Sequence, residues 1–119
     1  MKCTEHQIQS SFFQWIRIAR KDLEPYIFAI PNGGLRSKWA GAKLKREGLK
    51  PGVFDIFIAI PNARWHGLWL EFKAGKNKLT DNQIIFMNNM VKNNYECAVC
   101  YSFEAAKAFL EIYLGERNA

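Results

Sequence analysis

Apolar residues recur at helical spacing near the start of the chain. Ile8, Phe12, Trp15 and Ala19 share a face, and Thr4 followed by Gln7 makes a capping-box pair, so a helix is predicted from about Thr4 to Lys21. Tyr26–Ile30 reads as a short strand stopped by the turn Pro31-Asn32-Gly33-Gly34. Ser37–Glu47 reads as a basic helix that ends near Gly48 and Pro51. Phe54–Ile60 and Leu68–Lys73 are strands close enough to pair as a hairpin, with a Pro61-Asn62 turn after the first. A second capping box, Thr80 with Gln83, opens a helix over Thr80–Asn93, whose apolar arc holds Ile84, Phe86, Met87, Met90 and Val91. Tyr95–Tyr101 is a strand, and Ser102–Leu114 a helix with Gly115 just past its end. The order α β α β β α β α, without repeats, low-complexity tracts or linkers, predicts one mixed α/β domain over residues 1–119.

Composition agrees with a folded chain of that size. It is 119 residues long and 49% hydrophobic, with nine Phe, four Trp and four Tyr, which excludes disorder. Its apolar stretches fall far short of the roughly 20 residues that span a bilayer. Glu5, His6 and Gln7 stand where the apolar part of a secretion signal would begin, and three cysteines fit a reducing compartment, so a cytosolic protein is expected. Cys97 and Cys100, with Cys3 and His6, have a spacing that suggests zinc. Residues three apart on a strand point to opposite faces, however, so these cysteines read as small apolar residues.

Charge changes the picture more. The net +6 is unevenly placed. Between Arg36 and Lys78, ten basic residues stand against Glu47, Asp55 and Glu71, a net +7, and the rest of the chain is −1. Through counter-ion release such a stretch attracts a polyphosphate backbone, although the solvated face of an ordinary basic protein accounts for it equally well.

Three elements carry a polar group on a face that ought to be apolar. On Leu68–Lys73, Leu68, Leu70 and Phe72 make a core stripe while Trp69, Glu71 and Lys73 share the other face. Asp55 stands at the start of an apolar strand, where it meets Glu71 and Lys73 at one end of the hairpin or pairs with a lysine on a solvated face. Gln83 falls inside the apolar arc of its helix, either aimed at the sheet or reaching back to Thr80. Glu5 continues the stripe of the first helix, at the core edge or as a first-turn charge on the helix dipole. Hard oxygen donors suit Mg²⁺ or Mn²⁺, and a lysine beside them suits phosphodiester hydrolysis.

Gly52-Val53-Phe54-Asp55, then fifteen residues, then Glu71-Phe72-Lys73, then Gln83 in the next helix, resembles the PD-(D/E)xK nuclease superfamily. More narrowly, it resembles a stand-alone VRR-NUC domain. Glu5 at the first helix, Phe28-Ala29-Ile30-Pro31-Asn32-Gly33-Gly34, and Glu47-Gly48-Leu49-Lys50-Pro51-Gly52 are similar to that family too, so the resemblance runs from about Glu5 to Leu114. It implies an α/β, restriction-endonuclease-like core, with a small central mixed sheet flanked by helices. It implies Mg²⁺ or Mn²⁺ held by Asp55 and Glu71 with the Phe72 carbonyl, and Glu5 as a further acidic ligand, direct or through water. Lys73 would be the catalytic lysine and Gln83 a helper near it or the scissile phosphate. The family usually has Pro where this chain has Phe54; proline is not a ligand, so the difference bears on the backbone leading into the strand.

The expected function is therefore a Mg²⁺- or Mn²⁺-dependent DNA endonuclease selective for branched DNA such as Holliday (four-way) junctions. Stand-alone members of this family act as homodimers in bacterial or phage-infected cells, and a homodimer is expected here. Two other readings stay open: a non-catalytic nucleic-acid-binding module, and a nuclease acting on RNA or on other DNA structures. Lys38, Lys43, Lys45 and Arg46 on the basic helix, with Asn32 and Lys76, are the candidate DNA contacts. Trp39 is a stacking or packing residue. Phe103, Phe109, Leu110, Tyr113 and Leu114 on the last helix belong to the core or to a dimer surface.

Overall fold

The structure, a computed structural model, describes residues 3–31, 42–43 and 45–116. Helix α1 (Glu5–Ala19) starts as its sequence predicts: the Thr4 hydroxyl accepts from Gln7 N, and the Gln7 side chain accepts from Thr4 N. Its buried stripe is Ile8, Phe12 and Ile16, four residues apart. Trp15 is half-buried, 6.0 Å from the Phe103 ring, and Ala19 lies in an exposed last turn. Arg20 ties off this end by donating to both carboxylate oxygens of Glu116, at 2.6 and 2.8 Å.

A single 3-10 turn (Glu24–Tyr26) leads into β1 (Ile27–Ala29). It is followed by β2 (Ile56–Ile58), β3 (Leu68–Phe72), α2 (Asp81–Lys92), β4 (Glu96–Cys100) and α3 (Phe103–Tyr113). The sheet order is β1-β2-β3-β4; the first two pairings are antiparallel and β3 runs parallel to β4. A parallel neighbour needs a crossover, and α2 supplies it. Of the predicted basic helix Ser37–Glu47, Ala42, Lys43, Lys45 and Arg46 are described and helical, with Glu47 N donating to the Lys43 carbonyl at 3.1 Å. Asn32, Gly33, Gly34, Lys38 and Trp39 lie outside the described residues.

Alternation divides the sheet into two faces. Ile56, Ile58, Leu68, Leu70, Phe72 and Cys100 join Ile8, Phe12 and Ile16 of α1 and Ala106, Leu110 and Tyr113 of α3 in the main core. Phe103, Phe109 and Leu114 pack against that core as well, so the apolar excess of the last helix is core. The opposite face carries Phe57 and Trp69, whose rings lie 4.5 Å apart, and α2 covers it with Phe86, 5.0 Å from Trp69. Cys97 is half-buried and Cys100 buried. Burial pushes their thiols up to about 12 and about 11, which keeps them protonated and suits packing rather than metal ligation.

The segment before β2 is fitted to α2. Phe54, where the resemblance leads one to expect proline, is fully buried, its ring 5.3 Å from Phe86. Gly52 has φ +89°, and a Cβ there would stand 2.5 Å from the Asn82 carbonyl oxygen in the first turn of α2. Gly52→Ala is expected to lower stability by about 2 kcal/mol, because it combines an unfavourable backbone with a collision against backbone. A thermal midpoint equal to that of the wild type would show that this approach is not tight.

Candidate active site

The site lies at the open end of the β2–β3 hairpin. Ile56 pairs with Leu70, so one further step of the same register sets Asp55 opposite Glu71. There, side chains take over from the backbone ladder. Asp55 N donates to Glu71 Oε1 at 3.2 Å, and Phe72 N donates to Asp55 Oδ2 at 3.0 Å. Two carboxylates thus cross-brace the strands at the point where regular pairing stops.

Glu71 and Lys73 are 3% and 7% exposed, which removes the solvated-face reading, since α2 covers what alternation alone assigns to water. Lys73 Nζ lies 3.6 Å from Glu71 Oε2, and the same oxygen accepts from Gln83 Nε2 at 3.0 Å. A buried carboxylate is tolerable only when paired and hydrogen-bonded, and Glu71 is both. Burial, with the charge of Asp55 beside it, pushes Glu71 up to about 7 even though the Lys73 ammonium pulls the other way.

Gln83 performs both tasks that its sequence position suggested. Its backbone N–H donates to the Thr80 hydroxyl and its Oε1 accepts from Thr80 N, which leaves Nε2 for Glu71. The capping box thereby fixes which end of the amide faces the site. The sheet-facing stripe of α2 is Gln83, Phe86, Met87 and Met90, all partly buried. Ile84 and Val91, placed in the apolar arc by periodicity, are 41% and 40% exposed.

Glu5 is brought to a different neighbour. Its Oε2 accepts from Asn77 Nδ2 at 3.0 Å and from Ala74 N at 3.4 Å, in the turn that follows Lys73. Among the described residues no three His, Cys, Asp or Glu side chains form a group that could hold a metal ion. The close carboxylates are Asp55 and Glu71, and the main chain of Phe72, one step past Glu71, donates to Asp55. Lys43, Lys45, Arg46 and Lys76 are exposed.

The VRR-NUC domain family model matches residues 3–104. This chain belongs to the VRR-NUC family, a nuclease-type domain. A solved structure described as a VRR_NUC domain protein superposes with a TM-score of 0.83 at 24% identity, over 99% of this chain and 93% of that one. That likeness is one of fold, and it matches the compact α/β architecture, in which a mixed four-stranded sheet is flanked, among the described elements, by α1, α2 and α3. No curated protein matches the chain. No described helix is long and apolar enough to cross a membrane. Within this VRR-NUC domain, sequence reasoning did not single out Asn77 and Tyr101. The Tyr101 hydroxyl donates to the Asn77 carbonyl at 2.7 Å. The only local signal was an Asn closing a Gly-containing turn four residues after Lys73.

Proposed function

We propose that the chain is a Mg²⁺- or Mn²⁺-dependent DNA endonuclease, selective for branched DNA such as four-way junctions. The observation that carries this is the joining of Asp55, Glu71, Lys73 and Gln83 by short contacts at one end of a hairpin. The donor set fits a hard divalent cation: two carboxylates close together, with Glu71 pushed up to about 7 by its burial and by the charge of Asp55, a burden that a bound cation would relieve. Asp55 and Glu71 would hold the ion, with the Phe72 carbonyl as a third oxygen. When bound, the ion supplies charge neutralisation at the phosphate and a water of lowered pKa. The chain's own residues do the rest. Gln83 Nε2 fixes the Glu71 carboxylate, and Lys73 holds a non-bridging phosphate oxygen or orients the attacking water. Exposed Lys43, Lys45, Arg46 and Lys76 would bind phosphates, which positions DNA without reading its sequence. One centre per chain makes a symmetric homodimer the natural form for cutting two strands of a junction. The expected setting is the cytoplasm of a bacterial or phage-infected cell.

The test is a panel of junction, flap and linear duplex DNA with and without Mn²⁺, together with Mn²⁺ titration by calorimetry. Cleavage should require the metal and favour the junction. Asp55→Asn should weaken Mn²⁺ binding more than about tenfold. Salt-sensitive binding without cleavage or metal uptake would instead establish a non-catalytic binding module.

A further inference from the structure

Each of the acids Asp55, Glu71 and Glu5 has an oxygen held by an N–H donor from a neighbouring segment. Phe72 N serves Asp55 Oδ2 at 3.0 Å, and the Gln83 side-chain amide serves Glu71 Oε2 at 3.0 Å. Glu5, half-buried in the first turn of α1, is held in the same manner by a second side-chain amide. Asn77 Nδ2 donates to Glu5 Oε2 at 3.0 Å, and Ala74 N donates to the same oxygen at 3.4 Å. Both donors are neutral, so they fix the carboxylate without cancelling its charge. Both fall on one oxygen, which leaves Oε1 outside the contact.

Asn77 is itself anchored. Lys73 N donates to the Cys100 carbonyl at 3.1 Å, so the sheet pairing runs up to the lysine and the turn after it starts from a fixed base. The chain then reverses: Asn77 N donates to the Ala74 carbonyl at 3.1 Å, with Gly75 at φ +59°, a turn geometry that favours glycine. The Tyr101 hydroxyl, one residue beyond β4, donates to the Asn77 carbonyl at 2.7 Å. With both of its backbone groups engaged, Asn77 presents its amide to Glu5 from a fixed point.

We infer that Asn77, anchored by Tyr101, is a positioning residue that sets the Glu5 carboxylate for the cation site, as Gln83 does for Glu71. The inference rests on the nuclease reading, in which Glu5 is a further acidic ligand of the ion, direct or through water. Outer partners that hold a ligating carboxylate are commonly worth about 10–100-fold in metal affinity or activity. Asn77 touches neither the ion nor the phosphate and acts through Glu5 alone.

That last property is what a double-mutant cycle reads. Mn²⁺ affinity is measured by calorimetry for the wild type, Glu5→Ala, Asn77→Ala and Tyr101→Phe, and for each of the last two combined with Glu5→Ala. Glu5→Ala should weaken Mn²⁺ binding about tenfold or more, and Asn77→Ala about five- to tenfold. Tyr101→Phe, which leaves the amide in place, should weaken it about threefold. With Glu5 already replaced by alanine, the Asn77 and Tyr101 substitutions should each change Mn²⁺ affinity by less than about twofold. A residue that merely held the turn would weaken binding by the same factor with or without Glu5. Metal-free thermal unfolding checks that the variants fold. Tyr101→Phe deletes one hydroxyl from a side chain that is 47% exposed, so it carries the cycle even if Asn77→Ala does not fold. Wild-type Mn²⁺ affinity in Asn77→Ala would overturn the inference, as would equal losses in both backgrounds or an unchanged affinity in Glu5→Ala. A wild type that takes up Mn²⁺ together with any of these results removes the inference alone. A wild type that takes up no Mn²⁺ and cuts no DNA removes the nuclease reading, and the inference with it.

Discussion

Lys73→Met should lose about three orders of magnitude in the rate of DNA cleavage while remaining folded, the size expected when a group that both positions and stabilises charge is removed. Methionine keeps most of the buried stem and deletes the ammonium that lies 3.6 Å from Glu71 Oε2. Removing one partner of a buried ion pair commonly costs about 3–5 kcal/mol, because a charge is left without compensation. Here that cost is capped. The Lys73 ammonium is what pulls Glu71 downward, so without it Glu71 rises further and takes up a proton near neutrality. The neutral acid still accepts from Asp55 N and from Gln83 Nε2. Protonation also competes with metal, so Mn²⁺ binding by the variant should weaken at pH 7 and recover by pH 9. Cleavage should not recover with it. A variant that regains more than a tenth of wild-type activity at pH 9 with saturating Mn²⁺ would mean that Lys73 serves only to keep Glu71 ionised.

The parts of this arrangement that the sequence revealed are those fixed locally. Thr4 with Gln7 and Thr80 with Gln83 lie within one helical turn, and both boxes form. Strand alternation placed Leu68, Leu70 and Phe72 on the core face correctly, because one face of β3 packs on α1. The same alternation assigned Trp69, Glu71 and Lys73 to a possible solvent face, because nothing local says that α2 lies over them. Periodicity also centred the arc of α2 on its apolar residues, which drew Ile84 and Val91 inward. Gln83, which the arc already held, does face the sheet, because what it meets there is a carboxylate. Strand ends came out shorter than the apolar runs: β2 begins at Ile56 rather than Phe54, since at Asp55 side chains replace the ladder. The Glu5–Asn77 contact joins residues 72 apart and leaves no trace in any window of sequence.

Glu71 should also make the metal-free protein less stable as pH rises through neutrality, the reverse of what a salt-bridged carboxylate ordinarily does. Its folded value of about 7 stands above the ordinary 4.5, owing first to burial and then to the charge of Asp55. Between those values the folded state holds more protons than the unfolded state, so stability falls with increasing pH. The contribution is fully present below about pH 4.5 and is lost by the time pH has passed 7. At 1.36 kcal/mol per unit the loss amounts to about 3 kcal/mol. Glu71→Gln carries no titrating group, so subtracting its stability from that of the wild type isolates the effect. The difference should fall by about 3 kcal/mol from pH 4.5 to 7.5 in chelator, measured by urea unfolding, whatever its offset from the altered hydrogen bonds with Gln83 and Lys73. Mn²⁺ should reverse the trend for the wild type alone, adding stability at pH 8 and little at pH 5, where protons hold the carboxylate against the ion. A wild-type-minus-variant difference that is flat or rises with pH would mean that Glu71 is an ordinary ionised carboxylate, and the pairing with Asp55 would then place no strain for a cation to relieve.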